Sequence, residues 1–171
     1  MHPSIVPLAA IFRLNTQLLL NCLEGLDDDL AARRSPAWLN SIAFLVAHLT
    51  ETRHYLATIL GQPLPSPFSP SLARARSIDE AGPLPPIAAL TACWEVISAH
   101  LAVILERVDT AQLNQAGPKM PGSEGTILGS LAFLAQHESY HLGQIALLRR
   151  AYGLPSMTYA LPPREPGRRG A

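Results

Sequence analysis

Two histidines in one predicted helix are spaced to bind a single metal ion. His137 and His141 are four residues apart, so on an α-helix their side chains differ by about 40° in direction and lie about 6 Å apart along the axis. Gln144 falls on the same stripe, where it can hydrogen-bond a ligand or a substrate. Because imidazole is a common ligand of divalent transition metals, this spacing favours a metal site.

A third ligand must come from another segment, and two histidines qualify. His48 lies on the predicted inward face of an earlier helix, and His100 lies on the inward face of a later one. An inward histidine such as His100 is also typical of a core residue whose ring nitrogens are hydrogen-bonded. His54 is about 120° from His48 around the helix, so we predict that it lies on the surface.

Residues 137–141 also spell HExxH, the zinc-protease motif. The proteases marked by this motif draw a third ligand from further along the chain and lay their substrate against a sheet edge. Here Glu165 is the one carboxylate downstream, and no strand is predicted. A protease is therefore disfavoured, and Glu138 stays a candidate for holding a ligand or moving a proton.

Composition excludes several classes of function. The 171 residues carry 13 basic and 13 acidic side chains, and only 6% are aromatic, which disfavours binding of nucleic acid by bulk charge or base stacking. No run of about 18 apolar residues is free of charge, so we predict no membrane span. The N-terminus lacks the features of a secretory signal, and we expect a cytoplasmic protein. Cys22 and Cys93 are predicted to be reduced, packed thiols.

Four segments position these residues. Their apolar residues recur every three or four positions without strand-like alternation, so we predict an all-α protein built as a four-helix bundle. Asn40 is the predicted N-cap of the second helix, and Ser98 is predicted to face outward on the third. The predicted helices run from about Pro7 to Glu24, Asn40 to Gly61, Ile87 to Val108 and Thr126 to Tyr152.

The second and third helices are joined by a long connection, from Gly61 to Pro86, that is rich in proline. Such a density of proline forbids a long helix, although a short turn is expected around residues 73–80. A connection of this length can run along the bundle and make the two helices parallel, or it can cap a pocket; we favour the linking role. Residues 1–160 are predicted to form one domain, and residues 161–171 to be disordered.

Two stretches of the sequence resemble a known family. Residues 137–145 read HESYHLGQI, with LRR following at 148–150, and residues 47–49 read AHL. Over helices two to four the chain resembles the DinB/YfiT-like superfamily of metalloenzymes. The resemblance implies an up-down-down-up four-helix bundle that forms a homodimer. It also implies a zinc, nickel or iron-group ion bound by His48, His137 and His141.

The resemblance also implies a class of reaction, since related proteins include bacillithiol S-transferases and a mycothiol-dependent maleylpyruvate isomerase. Three neutral imidazoles leave the full charge on the metal, so a bound thiol or water should lose its proton near neutral pH. We expect S-transferase-type chemistry between a low-molecular-weight thiol and a small electrophilic substrate. Gln144, Tyr140 and His100 are the candidate pocket residues, with Glu138 flanking the site. A hydrolase that uses a metal-bound hydroxide and a non-catalytic metal-binding or interaction bundle remain alternatives.

Overall fold

The fold is mainly helical in the part of the chain that the computed structural model describes, residues 1–68 and 70–160. Within those residues the β-type pairing amounts to one isolated bridge between Ala116 and Thr126, so the prediction of an all-α protein is confirmed. The predicted disorder of residues 161–171 lies outside the described residues. After a 3₁₀ helix at Pro3–Ile5, the α-helices are α1 (Val6–Leu23), α2 (Asp28–Ala32), α3 (Ile42–Ile59), α4 (Pro70–Arg74), α5 (Ile78–Ala81), α6 (Ile87–Arg107), α7 (Thr110–Leu113) and α8 (Ile127–Ala151).

The four long helices, α1, α3, α6 and α8, correspond to the four predicted segments, and their ends lie within two residues of the predicted ends. One N-cap prediction is wrong, because Ser41 caps α3 by accepting a hydrogen bond from the backbone N–H of Phe44. Asn40 has another role: its side-chain oxygen accepts from the backbone N–H of Ile78 at 3.0 Å. Asn40 therefore fastens the proline-rich connection to the start of α3.

Apolar side chains fill the interior as two buried clusters at opposite ends of the long helices. Each cluster takes residues from all four long helices, so burial of these side chains holds the four helices together. The first cluster includes Leu19, Leu45, Trp94 and Ile145. The second cluster includes Phe12, Leu56, Leu101 and Leu131.

A polar layer separates the two clusters, and its centre is a buried ion pair between Arg53 of α3 and Glu138 of α8. The two side chains are each 1% exposed. The Nε and Nη2 atoms of Arg53 donate to the two carboxylate oxygens of Glu138 at 2.7 and 2.9 Å. The other three N–H groups of the guanidinium donate to Thr16, Ser98 and the carbonyl of Phe12. Every donor of the buried arginine is thereby satisfied, as burial of a charge requires.

The polar layer explains why one face of α6 differs from the prediction. Ser98 was expected to face outward but is buried, because its hydroxyl accepts from Arg53. Trp94 is fully buried one turn earlier, with its ring 3.7 Å from the guanidinium carbon of Arg53. The inward face of α6 is therefore rotated toward Trp94 and Ser98, and Cys93 and His100 are only partly buried.

The proline-rich connection packs against the bundle. It contains the short helices α4 and α5 in the region where a short turn was expected. Leu72, Ala75 and Ala81 of this segment are buried in the first cluster. The connection thus covers one side of α3 and α6.

Two stretches, Pro3–Leu23 and Ile87–Arg107, are long and apolar enough to cross a membrane by length and composition alone. Core helices of soluble proteins share this length and composition, and both stretches contribute residues to the buried clusters. The absence of a membrane span therefore stays a prediction. Both cysteines are free, with Cys22 buried and Cys93 partly buried.

Candidate metal centre

Three histidines from two helices converge where α3 passes α8. The Nε2 atom of His137 lies 3.2 Å from Nε2 of His48 and 3.1 Å from Nε2 of His141. The potential ligand atoms of the three residues all lie within 4.8 Å of one another, and each side chain is partly buried. The structure thus brings together the three residues that the family resemblance names as ligands.

The spacing of the three nitrogens fits a metal ion. Nitrogens that each bind one zinc ion at about 2.0–2.1 Å would lie roughly 3 Å apart, and the two recorded separations of 3.1 and 3.2 Å match this spacing. Among the described residues, the cluster contains no fourth histidine, cysteine or carboxylate. Three protein ligands with a position left for water or substrate are typical of catalytic zinc sites, whereas structural sites are closed by four.

Gln144 orients one of the three rings. Its side-chain oxygen lies 2.7 Å from Nδ1 of His141, and because an amide oxygen only accepts, Nδ1 must carry the proton. The Nε2 lone pair of His141 is then free to face the other two histidines. The amide nitrogen of Gln144 donates to the hydroxyl oxygen of Tyr140 at 3.2 Å. Gln144 thus orients the ring of His141, as hydrogen-bond partners of metal-binding histidines commonly do.

Burial keeps the three imidazoles neutral. It lowers the pKa of His48 and His137 to about 4, with the neighbouring histidines adding to the effect. Burial also lowers the pKa of His141, while its hydrogen bond to Gln144 acts in the opposite direction. At neutral pH all three rings can therefore bind a cation without first losing a proton.

Two histidines of the cluster stack on phenylalanine side chains that the sequence analysis did not identify. Phe44 stacks on His48 and Phe133 stacks on His137, each with ring centroids 6.0 Å apart. Both phenylalanines precede their histidine by four residues, so the i, i+4 spacing was a signal available in the sequence. The Nδ1 atom of His137 is buried and lacks a hydrogen-bond partner within the described part of the chain.

The other candidate residues lie in different surroundings. Tyr140 is 58% exposed beside His141, so it borders the centre from the solvent side. Glu138 points into the bundle and pairs with Arg53. His100 lies on α6, and its Nε2 atom is 2.9 Å from the carbonyl oxygen of Gln62. The structure therefore does not bring Glu138 or His100 to the three-histidine cluster.

The surface position predicted for His54 is wrong. Only 6% of this residue is exposed, because the proline-rich connection covers its side of α3. Its Nδ1 atom lies 2.8 Å from the carbonyl oxygen of Leu64 in that connection. His54 does lie on a different face of α3 from His48, but the periodicity of α3 alone does not show that the connection packs against that face.

Comparison with known proteins bears on both the fold and the histidine cluster. The model of the DinB superfamily matches residues 11–145, a segment that contains His48, His137 and His141. No curated protein matches the chain. Since the match covers more than half of its residues, the chain belongs to the DinB superfamily.

Proposed function

We propose that this protein is a metal-dependent enzyme that joins a low-molecular-weight thiol to a small electrophile, with the metal held by His48, His137 and His141. The observation that carries the proposal is the convergence of His48 and His141 on His137, with their Nε2 atoms 3.2 and 3.1 Å from that of His137, in a cluster that contains no fourth ligand among the described residues. Imidazole nitrogen binds zinc, nickel and iron-group ions. The metal that occupies the site therefore depends on which ion is available.

A divalent metal bound there would supply positive charge that lowers the pKa of a coordinated thiol or water toward neutrality. The residues of the chain provide neutral ligands and hold them in position. His48 and His137 stay neutral because they are buried. Gln144 fixes the ring of His141.

Tyr140 is suited to orient the substrate. Its hydroxyl oxygen accepts from Gln144, so its own proton is free for donation to an incoming group. In the transfer, the sulfur forms a bond to the electrophilic carbon as the leaving group departs with its electron pair. The proton of the thiol passes to solvent.

Elemental analysis tests the metal centre. The wild type is compared with His48→Ala and His141→Ala, and His100→Ala is the control because His100 lies outside the cluster. We expect about one divalent transition metal per chain in the wild type and in the control, and loss of the metal in the two cluster variants. Failure of the wild type to bind metal, even after reconstitution, would overturn the proposal.

A second assay tests the reaction on the metal-loaded protein. Thiols such as cysteine and glutathione are incubated with a chloronitroarene, and formation of the thioether is followed by absorbance. We expect turnover that is lost in His141→Ala. Metal binding with hydrolysis of activated esters would favour the hydrolase, and metal binding without turnover in either assay would favour a non-catalytic metal-binding bundle.

We also propose that α1, α3, α6 and α8 run up-down-down-up. The start of α1 and the ends of α3 and α6 contribute to one buried cluster together with the start of α8, which supports this order. A homodimer, which the family resemblance implies, and a cytoplasmic location, which the sequence analysis expects, remain parts of the proposal. Light scattering of the purified protein tests the dimer, since a monomer mass would exclude it.

A further inference from the structure

An open groove on α3, whose lining does not include the three histidines, contains a carboxylate and an imidazole whose hydrogen bonds within the described residues are incomplete. It has a volume of about 420 Å³, which is within the usual size range of small-molecule sites. One wall is α3, with Glu51, His54 and Tyr55, and the other wall is the proline-rich connection from Pro63 to Ser66.

Glu51 places an uncompensated negative charge in this groove. The residue is 9% exposed, and neither of the ion pairs formed by the described residues includes it. The hydroxyl of Ser66 donates to one carboxylate oxygen, and no side chain of the described residues is recorded as a donor to the other oxygen. A carboxylate that is nearly buried without a cation favours a positively charged ligand.

His54 supplies a second acceptor without a partner. Its Nδ1 atom must donate to the carbonyl oxygen of Leu64, which lies 2.8 Å away and can only accept. In the neutral ring the lone pair is then on Nε2. That atom is buried and has no hydrogen-bond partner among the described residues. Buried polar atoms are nearly always paired, so this nitrogen indicates a missing donor.

The thiol of Cys93 on α6 is affected by the negative charge of Glu51. The pKa of Cys93 is raised by burial and, in addition, by the negative charge of Glu51. Glu51 therefore lies close enough to α6 to affect Cys93.

We propose that this groove binds a small molecule through a primary ammonium group, which donates to the carboxylate of Glu51 and to Nε2 of His54. The alkyl part of the ligand lies against the apolar wall formed by Pro63, Leu64 and Pro65. Tyr55, which is 47% exposed in the same groove, adds an aromatic ring of the kind that attracts ammonium groups. One carboxylate and one imidazole are too few for a metal site, and the carboxylate repels anions.

The test is a titration of the full-length protein with n-butylammonium chloride, followed by NMR. We expect saturable shifts of the His54 ring signals and of the backbone signals of residues 63–66. The neutral analogue n-butanol should cause much smaller shifts. Glu51→Gln keeps the shape of the side chain and should weaken binding about tenfold or more.

Three controls separate the groove from other effects. Ser66→Ala removes the hydrogen bond to Glu51 but keeps the charge, and Glu95→Gln removes an exposed carboxylate on α6; both should retain binding. His48→Ala should also retain binding, because the groove does not depend on the proposed metal centre. If Glu51→Gln does not fold, His54→Phe tests the second acceptor and should also weaken binding. Absence of saturable shifts, equal shifts with n-butanol, or unchanged affinity in a folded Glu51→Gln or His54→Phe protein would overturn the proposal.

Discussion

The buried pair Arg53–Glu138 yields the sharpest prediction about stability. Replacing Glu138 by Gln keeps the size of the side chain but removes the charge that neutralises Arg53. The guanidinium would remain between the two apolar clusters, where its side chain is 1% exposed. The variant therefore carries an uncompensated buried charge.

The expected loss of stability is large. Removing one partner of a buried ion pair typically costs about 3–5 kcal/mol. For a chain of this length, each kcal/mol lowers the melting temperature by roughly 2–4 °C. Glu138→Gln should therefore melt roughly 6–20 °C below the wild type. The double variant Arg53→Met/Glu138→Leu removes both charges and should recover most of this loss, because apolar replacement of both partners is often neutral or stabilising.

The assay is urea denaturation of the wild type, Glu138→Gln, the single variants Arg53→Met and Glu138→Leu, and the double variant. Glu138 is adjacent to His137, and Arg53 follows His48 by five residues on α3, so the ion pair also fixes the two helices that carry the histidines. Metal affinity should consequently fall in Glu138→Gln even under conditions where the variant is folded. A loss below about 1 kcal/mol, or a double variant as unstable as the worse single variant, would refute this reasoning.

Two further predictions follow from the site and from one loop. Zinc affinity, measured by competition with a chelator, should hold at neutral pH and fall only at acid pH, because protonated imidazole cannot bind metal and burial lowers the pKa of His141 and lowers the pKa values of His48 and His137 to about 4. A steep fall already between pH 7 and 6 would contradict it. Gly117→Ala should lower the urea midpoint, since an added Cβ would lie 2.7 Å from the carbonyl oxygen of Thr126. Gly143→Ala meets no atom within 4 Å on α8 and should stabilise by about 0.5–1 kcal/mol; equal effects of the two changes would contradict the expected clash.

Local periodicity was enough to predict the long helices and the histidine pair. The i, i+4 spacing of His137 and His141 depends only on helix geometry, and α8 forms between Thr126 and Gly153 as the start and stop signals indicate. The choice of His48 over His100 as the third member of the cluster needed the family resemblance. Both histidines fall on apolar faces, and a one-dimensional pattern does not show which helix lies beside α8.

Long-range contacts account for the errors. His54 is buried because the connection that begins after Gly61 returns over its side of α3. Ser98 is buried because Arg53, on another helix, needs an acceptor in the polar layer. In both cases a polar residue is satisfied by a group distant in sequence, and hydrophobic periodicity assigns such residues to the surface by default.

The same contacts decide what the HExxH pattern means here. On a helix Glu138 is turned about 100° from His137. The two histidines therefore meet His48, while the side chain of Glu138 points into the bundle. There both of its carboxylate oxygens accept from the guanidinium of Arg53. A carboxylate held in this way cannot serve as a general base at the metal, because taking a proton would break the buried pair. In the proposed reaction a proton would therefore move through solvent or the exposed hydroxyl of Tyr140, and the similarity to the zinc-protease motif is limited to the two histidines.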